Sequence, residues 1–163
     1  MAEKLSPSAG KSSVKPAVRT TDRNLSQFTG YNMKRAFLLV QEDMAKTLAP
    51  LGLRMMTFSA LAVIVENPDM TQTQLSQALG IERSGVVTLV DELEQADLIS
   101  RNKVEGDRRS YALRETVKGR RLWQKAEAQV QAHEKAIFSV LSDAEYATLH
   151  DALRRVVRAA RSE

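Results

Sequence analysis

The chain contains no cysteine, which excludes a disulfide, a thiol redox switch and a thiolate metal site. Glycine and proline are scarce, at seven and four residues, and aromatics make up only 5% of the 163 residues. So few breakers, set among long tracts of Ala, Leu, Glu, Gln, Lys and Arg, favour helix over sheet. No run reaches the ~20 apolar residues that cross a bilayer. The opening MAEKLSPSAGKSSVKPAV has no apolar block after its lysines, so it does not read as a secretory signal. A cytoplasmic protein without a membrane partner is the expectation. The two histidines, His133 and His150, lie far apart with no adjacent nucleophile, and no glycine-rich phosphate loop occurs. We therefore expect no enzyme, no catalytic residue, no cofactor and no metal site.

What the chain does have is a hydrophobic content of 43%, enough for the core of one ordinary domain. Its net charge of +4 is unevenly spread. Residues 54–116 carry seven bases against ten acids, whereas 1–23 and 117–163 are each basic by three. Bulk charge alone thus does not make the middle of the chain a nucleic-acid binder.

Residues 1–21, rich in Ser, Pro, Lys and Ala and without periodicity, read as a disordered tail. From 24 to 48 the residues Leu25, Phe28, Ala36, Val40, Met44 and Leu48 recur at helical spacing, which predicts one long helix stopped by Pro50 and Gly52. A second helix is predicted over 54–65, ahead of Asn67-Pro68. Thr71 followed by Gln74 forms a capping-box pattern that opens a short helix to Leu79, ended by Gly80 in the left-handed conformation. After Ile81 a further helix runs to about residue 96, with Val86, Val90 and Leu93 on one face. Helix, glycine turn, helix is the helix-turn-helix arrangement.

Two short alternating runs, LISRNKV and SYALRE, flank EGDRR and predict a two-stranded hairpin with a loop of about five residues. Thr116 then caps a long helix, and Ser142 with Glu145 opens a last one carrying Leu149, Leu153, Val156 and Val157. A helix-turn-helix followed by a hairpin is a winged helix.

The second helix of such a pair can enter the DNA major groove by its first turns. With Val86, Val90 and Leu93 turned inward, Arg83, Ser84, Val87 and Thr88 face outward. Arginine and the hydroxyls can bond bases or phosphates, and valine can pack on thymine methyls. The plainer alternative is that Ser84 caps the helix and Thr88 is merely exposed. At the hairpin tip, Arg108 and Arg109 stand side by side in an otherwise acidic segment. One can enter the minor groove, where arginine is drawn by negative potential, while the other pairs with Asp107; the plainer alternative is a solvated turn with an incidental Asp–Arg contact.

The stretch from GLRMMTFSALAVIVENPDM through TQTQLSQALGI and LVDELEQADLI to GDRRS resembles the core of MarR-family transcriptional regulators, over about residues 30–160. The resemblance implies a ligand-responsive repressor: a homodimer whose first and last two helices interlock, with two winged lobes reading a palindromic operator in double-stranded DNA. It puts Asp107, Arg108 and Arg109 in the wing and residues 83–88 at the start of the recognition helix. Asp97 stands where such proteins usually have glycine, and Glu115 where they have an apolar residue.

Dimerisation also follows from the apolar stripes of three helices at opposite ends of the chain, which a lobe of some 60 residues cannot cover and a two-fold interface can. In the family a small molecule binds where the dimer layer meets the lobe. The candidate ligand residues here are Phe28, Tyr31, Arg35, Met55, Met56, Phe58 and Trp123, and their chemistry suits an aromatic or amphipathic anion. Ordinary core packing is the competing reading for each of them. The fold class expected is mainly α with a small β-hairpin wing: a winged helix-turn-helix lobe over 54–116, plus a helical dimerisation layer from 22–53 and 117–163. The rival function is a winged-helix protein-interaction module without DNA binding.

Overall fold

The computed structural model describes residues 21–104 and 107–159; nothing is described of the other residues, nor of the side chains of 104–110. The expected tail therefore lies, but for Thr21, outside the described residues. The order is α1 (Arg23–Ser26), α2 (Thr29–Leu48), a 3-10 turn (Ala49–Leu51), α3 (Met55–Glu66), β1 (Met70–Thr71), α4 (Gln72–Leu79) and α5 (Arg83–Gln95). There follow β2 (Ile99–Val104), β3 (Asp107–Glu115), α6 (Val117–Ile137), a second 3-10 turn (Phe138–Val140) and α7 (Asp143–Ala159). The fold is mainly helical with a small antiparallel sheet, as expected.

Local signals in the chain account for most boundaries. Thr71 Oγ1 accepts from the Gln74 N–H at 3.3 Å while Gln74 Oε1 accepts from the Thr71 N–H at 2.8 Å, closing the capping box of α4. Thr116 Oγ1 accepts from the Gly119 N–H at 2.9 Å at the start of α6. Ser142 and Glu145 form the same reciprocal pair before α7.

Three expectations are corrected. The single helix over 24–48 is two, because Phe28 is extended (φ −91°, ψ 125°) and starts α2 afresh. Thr29 and Gly30 are weak helix formers, and the Asn32 side chain donates to the Ser26 carbonyl at 2.7 Å, satisfying an acceptor that the break leaves over. The sheet has three strands in the order β1-β3-β2, not two. Strand β1 pairs Met70 with Leu113 and Thr71 with Ala112, and two residues are too few to show an alternation. The predicted five-residue loop is also shorter, since Asp107–Arg109 already belongs to β3. Pairing is regular from Ile99↔Glu115 to Lys103↔Tyr111; the next pair is Val104↔Asp107, so residues 108–110 have no cross-strand partner in the register. That irregularity is a bulge, which bends and twists the hairpin.

The core lies where α3, α4, α5 and the sheet meet the first half of α6. Leu61 and Ile64 of α3, Leu75 of α4, Val90 of α5 and Leu113 of β3 have no exposed surface. From α5 to β2 the chain turns through Asp97, left-handed at φ 56°, with the Leu98 N–H donating to the Leu93 carbonyl at 2.9 Å. Left-handed backbone costs an L-residue about 1 kcal/mol, less for Asp than for most. The Asp97 carboxylate makes no hydrogen bond or ion pair among the described residues that would offset it. Asp97→Gly should therefore raise stability by up to about 1 kcal/mol; a fall in Tm on thermal unfolding would contradict this.

Outside the core, α2 and α7 keep apolar surface in solvent. Phe37, Leu38 and Leu39 on α2, and Leu149, Leu153, Val156 and Val157 on α7, are exposed, and α7 buries no residue.

Candidate nucleic-acid interface

Helix α5 has two unlike faces. Val86, Leu89, Val90 and Leu93 are buried, while Arg83, Ser84, Val87 and Thr88 are all exposed. The four residues expected to face outward do so together, on the first turns of the helix. Val87 is 45% exposed, an apolar side chain held out in solvent with no core duty. The helix is presented by the turn before it: Gly80 is left-handed at φ 65°, and Ser76 Oγ donates to the Ile81 carbonyl at 2.6 Å.

Ser84 does not cap α5. The cap position belongs to Glu82, which is extended and makes no side-chain cap bond. The first N–H groups of the helix are thus left without a side-chain acceptor, and such a terminus suits an anion. Thr88 Oγ1 lies 3.5 Å from the Ser84 carbonyl, a marginal contact that leaves the hydroxyl available.

The acidity of the segment has a structural answer that sequence reasoning missed. Five of its ten carboxylates are matched to arginines: Asp91 and Glu94 by Arg101, Glu92 by Arg54, Asp69 by Arg114 and Glu115 by Arg120. The Asp69 carboxylate, hydrogen-bonded to Arg114, raises that guanidinium's pKa above the usual arginine value. Glu115 is nearly buried, its side chain 7% exposed, and its pairing with Arg120 makes that burial tolerable. Two of these pairs, Arg54–Glu92 and Arg114–Asp69, join residues 38 and 45 positions apart, and no periodicity marks them.

Asp107, Arg108 and Arg109 begin β3, and their side chains lie outside those described. The candidate ligand residues fall into separate groups. Tyr31 OH donates to the Asp22 carboxylate at 2.8 Å, Arg35 pairs with the same carboxylate, and its guanidinium lies 5.9 Å from the Tyr31 ring centre. The Tyr31 hydrogen bond, then Arg35, hold the Asp22 carboxyl below the usual carboxylate range. Phe58 and Trp123 pack against the core, and Trp123 Nε1 is buried without a hydrogen-bond partner among the described residues. Met55 and Met56 are half-buried, and Phe28 is exposed. Asp22 was not foreseen; nothing in the spacing of residues 22, 31 and 35 signals the cluster.

Comparison with known proteins agrees with this geometry. Residues 51–110 match the family model described as MarR family. The chain is 32% identical, over 130 residues, to the putative transcriptional regulatory protein for the hcr operon of Thauera aromatica, covering 79% of this chain and 78% of that protein. Among solved structures it is similar to the transcriptional repressor CouR bound to a 23-mer DNA duplex, with 35% identity and a TM-score of 0.79 over 82% of this chain and 95% of the other. It is likewise similar to CouR from Rhodococcus jostii RHA1 bound to p-coumaroyl-CoA, with 30% identity and a TM-score of 0.73 over 81% and 93%.

Proposed function

The chain belongs to the MarR family of transcriptional regulators, and from that premise we propose that it is a ligand-responsive repressor that reads a palindromic operator as a homodimer. The observation that carries the reading is the exposed cluster Arg83, Ser84, Val87 and Thr88 on the uncapped first turns of α5. Its donors suit guanine edges and phosphates, and Val87 suits a thymine methyl. Arg108 and Arg109 act from the wing, in the adjacent minor groove, with Asp107 orienting one of them.

The homodimer is supported by the exposed apolar residues of α2 and α7, which one subunit leaves in water. A two-fold interface buries the same patch on both copies and sets the two recognition helices about 34–36 Å apart, one turn of B-DNA. A winged helix that binds only proteins drew its support from the acidity of residues 54–116. With half of those acids held by arginines, that support is weakened. No single helix among the described residues is long and apolar enough to cross a membrane, and the protein acts in the cytoplasm on this reading.

For the effector we favour an aromatic or amphipathic anion. Tyr31 and Arg35 already receive one carboxylate, that of Asp22, so the pair is competent to hold another. One relative, CouR, has been solved with p-coumaroyl-CoA, an amphipathic aromatic anion. Phe58, Met55, Met56 and Trp123 offer the apolar contact, and Phe28 stands exposed near the start of α2.

The test is an anisotropy titration with an operator selected from a random DNA pool, with sedimentation of the free protein. A dimer contacting about six phosphates should show log K falling with log salt at a slope near −5. A salt-independent interaction, or a lone subunit at working concentration, would overturn the reading.

A further inference from the structure

We propose that Arg101 is a positioning residue for DNA reading, clamping the wing to the recognition helix so that the two contact elements meet the duplex in one fixed geometry. The inference rests on the reading above, in which Arg108, Arg109 and the first turns of α5 touch DNA.

Arg101 belongs to β2, yet its side chain leaves the sheet for α5. Nη2 donates to Asp91, and Nε, which is buried and makes no hydrogen bond, lies 3.4 Å from Glu94 Oε2 as an ion pair. Positions 91 and 94 are one helical turn apart on one face of α5. A planar guanidinium set between two carboxylates on that face, hydrogen-bonded to one and ion-paired with the other, has less freedom to swivel than one with a single partner. The side chain is only 22% exposed, so water screens the contact less than at the surrounding surface pairs. Both carboxylates sit in the C-terminal half of α5, away from the turns that read DNA, so the clamp leaves the reading face open.

The position along β2 matters as much. Opposite Arg101 in the ladder is Leu113, which is fully buried, so the backbone at this point is anchored in the core. Two residues further, at Lys103, the regular pairing ends and the register slips by three residues before Val104↔Asp107. The outer hairpin begins here, with Arg108 and Arg109 in the slip itself. Its direction is therefore set by the last well-anchored part of the strand.

Covalently, α5 and β2 are joined only through the turn at Asp97. The other ion pairs of the lobe run elsewhere: Arg54 ties α5 to the start of α3, and Arg114 ties β3 to the residue before β1. Among the described residues, Arg101 alone makes a side-chain bridge from the wing strands to the recognition helix. It also neutralises two carboxylates on the helix that approaches the phosphates.

The experiment is a set of double-mutant cycles on the full chain, read as affinity for the selected operator at one salt concentration, with Tm recorded for every variant. The backgrounds are wild type, Arg101→Lys, and Asp91→Asn combined with Glu94→Gln. Each is measured with and without Arg108→Ala and Arg109→Ala. Lysine keeps the charge but cannot span two carboxylates in a fixed plane, and the amide pair leaves Arg101 in place without its anchors. Any uniform gain in affinity from lost acid charge cancels within a cycle.

In wild type, removing the wing arginines should weaken binding about 100-fold. In both altered backgrounds the same removal should cost less than about tenfold, because the wing no longer sits where its arginines can engage. A purely structural Arg101 would change Tm while leaving the wing's factor the same in all three backgrounds, and that result overturns the proposal. If the wing arginines cost nothing even in wild type, the DNA-contact reading of the wing fails and the clamp falls with it. The two failures are thus told apart.

Discussion

Alanine at both Arg108 and Arg109 should weaken operator binding by at least about 100-fold and leave the Tm unchanged. An arginine lost from a groove or phosphate contact costs about 1–3 kcal/mol, and two-fold symmetry places two such pairs on each operator. Even partial engagement of the four side chains reaches two orders of magnitude. The salt slope should become shallower as well, since each phosphate left bare releases no counterion. Stability is spared because these residues lie in the register slip, without cross-strand partners and away from the buried end at Leu113. Operator binding with an unchanged constant and slope would remove the wing from the mechanism and leave the α5 face to act alone.

Gly119→Ala should be the most damaging single substitution for the fold. A Cβ at this position would lie 1.9 Å from the Leu98 carbonyl oxygen and 2.8 Å from its carbon, both backbone atoms. That oxygen also accepts from the Thr116 N–H at 3.0 Å, so the start of α6 is seated directly on the backbone that leads into β2. No rotamer change can relieve a clash with main chain, and α6 must lift away. Overpacking of this kind costs about 3 kcal/mol or more, a fall in Tm of roughly 10 °C for a chain of this size. The effect should reach function, because α6 carries on from the wing into the helices proposed to join the subunits. A melting curve superimposable on wild type would mean that α6 stands off Leu98 in solution. An isolated glycine within a helical run was the available signal. By itself it says that something passes close, not what.

Residues that act on near neighbours were legible. Thr71 with Gln74, Ser142 with Glu145, and Gly80 at its positive φ each do their work within a few residues, so the order of helices and the turn between α4 and α5 could be read directly. The outward set Arg83, Ser84, Val87 and Thr88 follows from the same logic, since placing Val86 and Val90 inside determines which side of a helix faces out. The restart at Phe28 was not legible, because the spacing of apolar residues runs through it without interruption. Strand β1 was hidden by its length.

The order of the long helices, the helix-turn-helix and the outward face of its second helix were determined by the sequence alone, through hydrogen bonds and side-chain periodicity that span one or two turns. Tertiary structure decided how those parts are held: Arg101 across to Asp91 and Glu94, Arg114 to Asp69, Asp22 on Tyr31 and Arg35, and α6 against Leu98. Such contacts join residues from 7 to 45 positions apart. Their existence depends on where the packed core delivers each backbone, and no local pattern of residues encodes that meeting.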